Sequence, residues 1–208
     1  MHDSALASTL PQPTLLNPCR EVTSLIPVFP PLDTQLGSIV ETTNATKDSA
    51  NKLLITLQGN TFLTDIAAMN LTSDKLQGLP DRNVPDNLTM NELDDITASD
   101  HIDISVYIVF VKQALAEQYT YDRGILANKL KKVQTDLFAL LCKVNVLLRS
   151  RNVAIPSFAE ASAMPNDIKN ISDATDRYSR NFVMINNAKT FLEALLTTYS
   201  TFKELNKA

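Results

Sequence analysis

Tryptophan is absent from this chain, and its 208 residues include only four glycines, two cysteines and two histidines. Scarce glycine argues against a turn-rich all-β sandwich, and scarce histidine leaves little footing for acid–base or metal chemistry. No apolar run approaches the roughly eighteen residues of a membrane span. The longest, Val106 to Val111, lies inside a helix-length segment. There is no basic block either: nineteen basic against twenty-three acidic residues give a formal net charge of -4, so nucleic acid is not expected as a partner. Glycine-rich phosphate loops and a serine elbow are also missing. Met1 to Leu10 lack a basic region followed by an apolar one, so any secretory signal is expected to have been removed.

Six of the ten prolines fall in the first thirty-one residues, which excludes a continuous helix there and predicts an extended N-terminal strap over 1–32. From Leu36 the apolar positions Ile39, Val40, Ala50, Leu53, Leu54 and Leu57 recur at helical spacing and stop at Gly59, predicting a helix over about 33–58. Residues 59–100, with Gly78, Pro80 and Pro85, read as a long connection. A second helix is predicted over about 102–120, although Val106 to Val111 also fits a buried strand. Beyond Asp122-Arg123-Gly124, the positions Leu126, Leu130, Val133, Leu137, Leu140, Val144 and Leu147 predict a helix over 123–151. Tyr178, Phe182, Ile185, Leu192, Leu196, Tyr199 and Phe202 predict a last one over 173–205, capped by Ser172 or Asp173. Long, short and long links between four such helices predict an all-α, long-chain four-helix bundle over 33–208, up-up-down-down; a monomer when free is a separate expectation.

Taking about 100° per residue, Cys142 falls on the face of the third helix opposite its core stripe, with Phe138 and Val146 one turn either side. Something apolar must cover that stripe. The expectation is a strap laid across it through Leu15, Leu16 and Val22 and pinned by a Cys19–Cys142 disulfide; the alternative is two free thiols in a reducing compartment. Four sequons, at Asn44, Asn70, Asn87 and Asn170, are consistent with export, but two or three such matches are expected by chance. Asp94, Asp95, Asp100, His101 and Asp103 form the one acidic cluster with an imidazole; its spacing matches no zinc or calcium pattern, and acidic residues also suit a helix N-terminus. Neither a metal nor a cofactor is expected.

Leu57-Gln58-Gly59 with Phe62, the segment from Tyr121-Asp122-Arg123-Gly124-Ile125-Leu126 to Leu130, and Leu140-Leu141 resemble the interleukin-6-type helical cytokines of the leukaemia inhibitory factor, oncostatin M and ciliary neurotrophic factor branch. A helix-C cysteine facing an N-terminal one is similar to a disulfide of that branch. The resemblance implies a secreted, extracellular signalling protein without catalysis, whose first and third helices contact a glycoprotein 130-like receptor. The matching positions here are Gln35, Ser38 and Thr42, with Thr135, Asp136, Ala139 and Lys143. It further implies a second contact, with a leukaemia inhibitory factor receptor-like chain, at the start of the last helix, where Tyr178 and Asn181 stand in place of phenylalanine and lysine and Arg177 or Arg180 supplies the charge. Rival readings are an intracellular helical scaffold and a metal-dependent bundle enzyme built on Asp100, His101 and Asp103.

Overall fold

The computed structural model describes Cys19 and residues 28–59, 71, 74–169 and 171–207. Four helices dominate: α1 (Leu32–Gln58), α2 (Leu93–Thr120), α3 (Ala127–Ser150) and α4 (Ala174–Leu205); no strand occurs among the described residues. Pro31, with φ fixed at -53°, leads into α1, and Gly59 closes it. At the start of α4 the Asp173 carboxylate accepts from the Asp176 amide at 3.0 Å, which satisfies one of the free N–H groups of the first turn. Val106 to Val111 is helical, and all of it except Val106 is fully buried.

Two boundaries differ from the sequence expectation. The second helix begins at Leu93, nine residues before the expected 102. Its early inward positions include Thr97, Asp100 and His101, so polar residues conceal the helical period. The legible signal was a capping box: Thr89 Oγ1 and the Thr89 amide both donate to Glu92 Oε2, at 2.8 and 2.9 Å. The third helix begins at Ala127 rather than 123, because Arg123 (φ 54°) and Gly124 (φ 77°) adopt left-handed backbone that reverses the chain.

Residue pairs between helices give their directions. Ser150 Oγ donates to Gln35 at 2.9 Å and Ser49 Oγ to Asp136 at 2.6 Å, so α1 and α3 are antiparallel neighbours. Arg151 pairs with Asp94, and the Leu126 amide donates to Gln118 at 2.7 Å, so α2 and α3 are antiparallel too. Between α2 and α4, Tyr107 packs on Phe191 with ring centroids 4.8 Å apart, while Arg180 meets Glu117 and Tyr199 meets Thr97. One buried core joins the helices, including Leu36, Leu57, Ile104, Leu137, Phe182 and Phe202. Each such side chain contributes about 1.5 to 3 kcal/mol on burial.

The two long connections meet at Gly78. A Cβ there would lie 2.7 Å from the Ala163 carbonyl oxygen and 2.9 Å from Pro165, and φ is +87°. Only glycine fits both the backbone and the space. Elsewhere in the α1–α2 connection, the Asn187 side chain accepts from the Leu76 amide and donates to the Asp74 carbonyl, fastening the link to α4.

Cys19 and Cys142 form a disulfide with Cα atoms 5.3 Å apart across 123 residues of sequence. Phe138, Cys142 and Val146 are half-buried. Part of their cover comes from the α3–α4 connection, where Phe158 stacks on Phe138 at 6.4 Å and 24°. The remaining strap residues expected there, Leu15, Leu16 and Val22, lie outside the described residues, as does Phe62.

Candidate functional site

On α1 and α3 the seven expected contact positions divide by accessibility. Gln35 is buried, its amide donating to Pro30 O at 2.6 Å and accepting from Ser150, so it anchors the helix start rather than presenting a contact. Ser38 and Thr42 are half-buried, and Thr42 Oγ1 donates back to the Ser38 carbonyl. Thr135, Ala139 and Lys143 are exposed. Asp136 is largely occupied: it accepts from Ser49 and from Lys132, and only 13% of its side chain is exposed. What remains open is a surface of small, uncharged side chains with Lys143 at its edge, cheap to desolvate against a partner.

The set expected at the start of α4 is not an open face. Arg177, Tyr178, Arg180 and Asn181 are all buried. Arg180 forks onto Glu117 of α2 and also donates to the Ile168 carbonyl at 2.9 Å, while Asn181 accepts from Arg180 at 2.8 Å. Arg177 pairs with Asp122 and donates to the carbonyls of Ile171 and Ser172 at 3.0 and 2.6 Å. Both cations therefore tie the end of α2 and the turn after it to the entry of α4. Buried charges persist only when paired and hydrogen-bonded, and sequence alone does not reveal partners more than fifty residues away.

Beside this buried corner, the α2–α3 turn exposes what the sequence reading did not single out as a site. Tyr119, Tyr121 and Ile125 are 65%, 50% and 64% exposed. Arg177 lies 4.9 Å from the centroid of the Tyr121 ring, a cation–π contact that orients the ring from beneath. The available signal was two tyrosines and an isoleucine flanking a chain reversal, where solvent normally selects polar residues.

The acidic cluster on α2 is committed elsewhere. Asp100 is fully buried and ion-paired with Arg82 from the α1–α2 connection, so a guanidinium occupies the place a metal would need. Arg82 also reaches Thr198 of α4 at 3.5 Å. Burial lowers the Arg82 and His101 pKa values and raises that of Asp103, with Arg82 opposing the last shift. Tyr199, bonded to Thr97, is pushed up to about 12 by burial. Among the described residues no group of three or more histidine, cysteine, aspartate or glutamate side chains is placed to hold a metal ion. A cavity of about 140 Å³ lies between the α1–α2 connection and α4, lined by Lys75, Asp81, Arg82, Asn186 and Asn187 among others.

Two sequons can be located. Asn87 is exposed in an irregular stretch, whereas Asn44 is exposed in the middle of α1 with its partner hydroxyl, Thr46, fully buried and bonded to Thr42 O at 2.7 Å. Asn70 and Asn170 lie outside the described residues. No helix among the described residues is long and apolar enough to cross a membrane. No family model matches the chain, and neither a curated protein nor a solved structure does.

Proposed function

We propose that this chain is a secreted helical signalling ligand of the interleukin-6 type that brings two cell-surface receptor chains together, one of them glycoprotein 130-like, so that their cytoplasmic domains start kinase signalling. The observation that carries this reading is a pair of separate open surfaces on one bundle. One is the small-residue face of α1 and α3 around Ser38, Thr42 and Ala139; the other is the Tyr119, Tyr121 and Ile125 corner. Gln35, one turn before Ser38, bonds to Ser150 at the far end of α3 from that corner. Ala139 lies twelve residues beyond the first residue of α3, about 18 Å at 1.5 Å per residue, and Ser38 lies farther still, which separates the two surfaces along the bundle.

The antiparallel pairings of α1 with α3, α3 with α2 and α2 with α4 favour an up-up-down-down course, which two long overhand connections permit. The Cys19–Cys142 disulfide favours an oxidising compartment, as secretion provides. Within this reading the strap crosses α3 at Cys142. The second receptor, leukaemia inhibitory factor receptor-like in the family pattern, is engaged through Tyr121 and its neighbours instead of the buried Tyr178, because exposed aromatic side chains act as interface anchors.

Capture of purified receptor ectodomains tests the reading. Ser38→Arg with Ala139→Arg abolishes one receptor contact and spares the other; Tyr121→Ala with Ile125→Ala does the reverse. Loss of neither contact, or immediate alkylation of both thiols in the native chain, returns the protein to the class of intracellular scaffolds.

A further inference from the structure

One buried arginine has a donor that the fold leaves unused. Arg82 lies in the α1–α2 connection with only 9% of its side chain exposed, and its Nη1 pairs with the fully buried Asp100. Its Nη2 reaches Thr198 Oγ1 at 3.5 Å, whereas Nε has no hydrogen-bond partner. A buried N–H of a charged group without an acceptor bears its full desolvation cost, so it calls for an occupant beside it.

Space for an occupant exists, because Arg82 lines the cavity of about 140 Å³ between the α1–α2 connection and α4. The apolar lining comes from Leu76, Leu79, Pro80, Tyr107 and Phe191, with the Tyr107 and Phe191 rings packed at 4.8 Å between centroids. The walls are fixed before anything enters. The Tyr107 hydroxyl donates to the Pro80 carbonyl at 3.3 Å, and Asn187 commits its side-chain amide to Leu76 and Asp74. Lys75 and Asp81, an exposed ion pair, stand where the cavity meets solvent. A preformed apolar cavity with one convergent polar group has the character of a small-molecule site.

Volume and charge together select the occupant. A cavity of about 150 Å³ holds one benzene-sized ring. Lys75 and Arg82 are matched by Asp81 and Asp100, and Asp74 adds a further carboxylate to the lining, so no positive excess favours an anion. A cation lacks the lone pair that Nε–H needs. We infer that this cavity binds a small neutral molecule, one apolar ring carrying a carbonyl group whose oxygen accepts from Arg82 Nε. Binding ties the α1–α2 connection to α4, because the cavity is lined by both. The inference goes beyond receptor engagement and does not depend on it.

The test is titration of the isotope-labelled full chain with benzamide, benzoate and toluene, followed by NMR. Benzamide should bind saturably and shift the Arg82 Nε–H resonance, and the other two should bind more weakly by about tenfold or more, since neither offers a neutral acceptor. Thr190 is an exposed lining residue of α4. Thr190→Phe fills the cavity with a ring of the chain's own and should abolish saturable binding; thermal unfolding checks that this surface variant folds like the parent. Arg82→Met/Asp100→Leu removes the donor and its buried counter-charge together, and benzamide should then lose its advantage over toluene. If that double variant does not fold, Thr190→Phe decides. Absence of saturable benzamide binding overturns the proposal. So does benzoate binding as tight as that of benzamide, an Arg82 resonance that does not move, or equal binding by parent and Thr190→Phe.

Discussion

Arg180 of α4 addresses Glu117 of α2 through both arms of its guanidinium, Nη1 donating to Oε1 at 3.0 Å and Nη2 to Oε2, with each side chain only 3% exposed. Gln113 donates to the same carboxylate at 2.8 Å. Glu117 of α2 and Asp122 of the turn after it are thus both held to α4 by buried polar contacts.

Removing the guanidinium alone, by Arg180→Leu, leaves a buried carboxylate stripped of its cation and is expected to destabilise the fold by about 3–5 kcal/mol. Glu117→Leu with Arg180→Leu should cost clearly less than the sum of the single changes, since both desolvated charges disappear together. Urea unfolding midpoints of the four proteins in this cycle give the coupling; simple additivity would refute the pairing.

Reduction of the Cys19–Cys142 bond releases a 123-residue separation. A loop of that length predicts a loss of about 2–5 kcal/mol, measured as a lower melting temperature for Cys19→Ser/Cys142→Ser than for the oxidised parent. A melting temperature insensitive to reductant would exclude a stabilising role for the strap attachment.

Burial holds His101 below its ordinary 6.5. A depressed pKa means that the unfolded chain binds the proton more readily, so the contribution is fully present above about 6.5 and is lost as pH falls toward the folded value. Stability of the parent should therefore decline between about pH 7 and pH 5, by at most about 1.4 kcal/mol per pH unit, and His101→Leu should flatten that decline. Asp103 acts with the opposite sign: its raised pKa adds stability below 3.8 that is lost as pH rises through the folded value. An unchanged profile in His101→Leu would contradict the assignment.

Glycan attachment should follow local backbone. In a secreting eukaryotic host, Asn87→Gln removes one glycan from the intact mass and Asn44→Gln removes none, because Asn87 lies in an irregular exposed stretch while the Asn44 hydroxyl partner is locked inside α1. Peptide mapping reads both sites directly.

Gly78→Ala should lower stability by more than the roughly 1 kcal/mol typical of a glycine that merely needs positive φ, since its Cβ would also meet the Ala163 carbonyl and Pro165. Thermal unfolding checks this, and a melting temperature equal to the parent's would show that the two connections do not close on each other.

The sequence by itself determined the helices whose inward faces are apolar. Leu126 to Leu147 and Tyr178 to Phe202 carry a 3.6-residue period, and burial of such a stripe is the dominant force on a helix. It also narrowed the cap of the last helix to Ser172 or Asp173, of which the structure uses Asp173, and placed Cys142 away from the core stripe, since both follow from spacing along one helix. The early start of α2 was hidden because Thr97, Asp100 and His101 face inward there, where the period would show leucines. Only tertiary structure decided the state of the charged residues. Arg177 and Arg180 look like surface cations in sequence, yet Asp122 and Glu117, each more than fifty residues away, draw them into the core. Tyr121 and Ile125 flank the left-handed residues Arg123 and Gly124, and their exposure of 50% and 64% was not legible from spacing. Apolar periodicity is a local property that the chain carries in its order, whereas charge pairing depends on which distant segments the fold brings within hydrogen-bond reach.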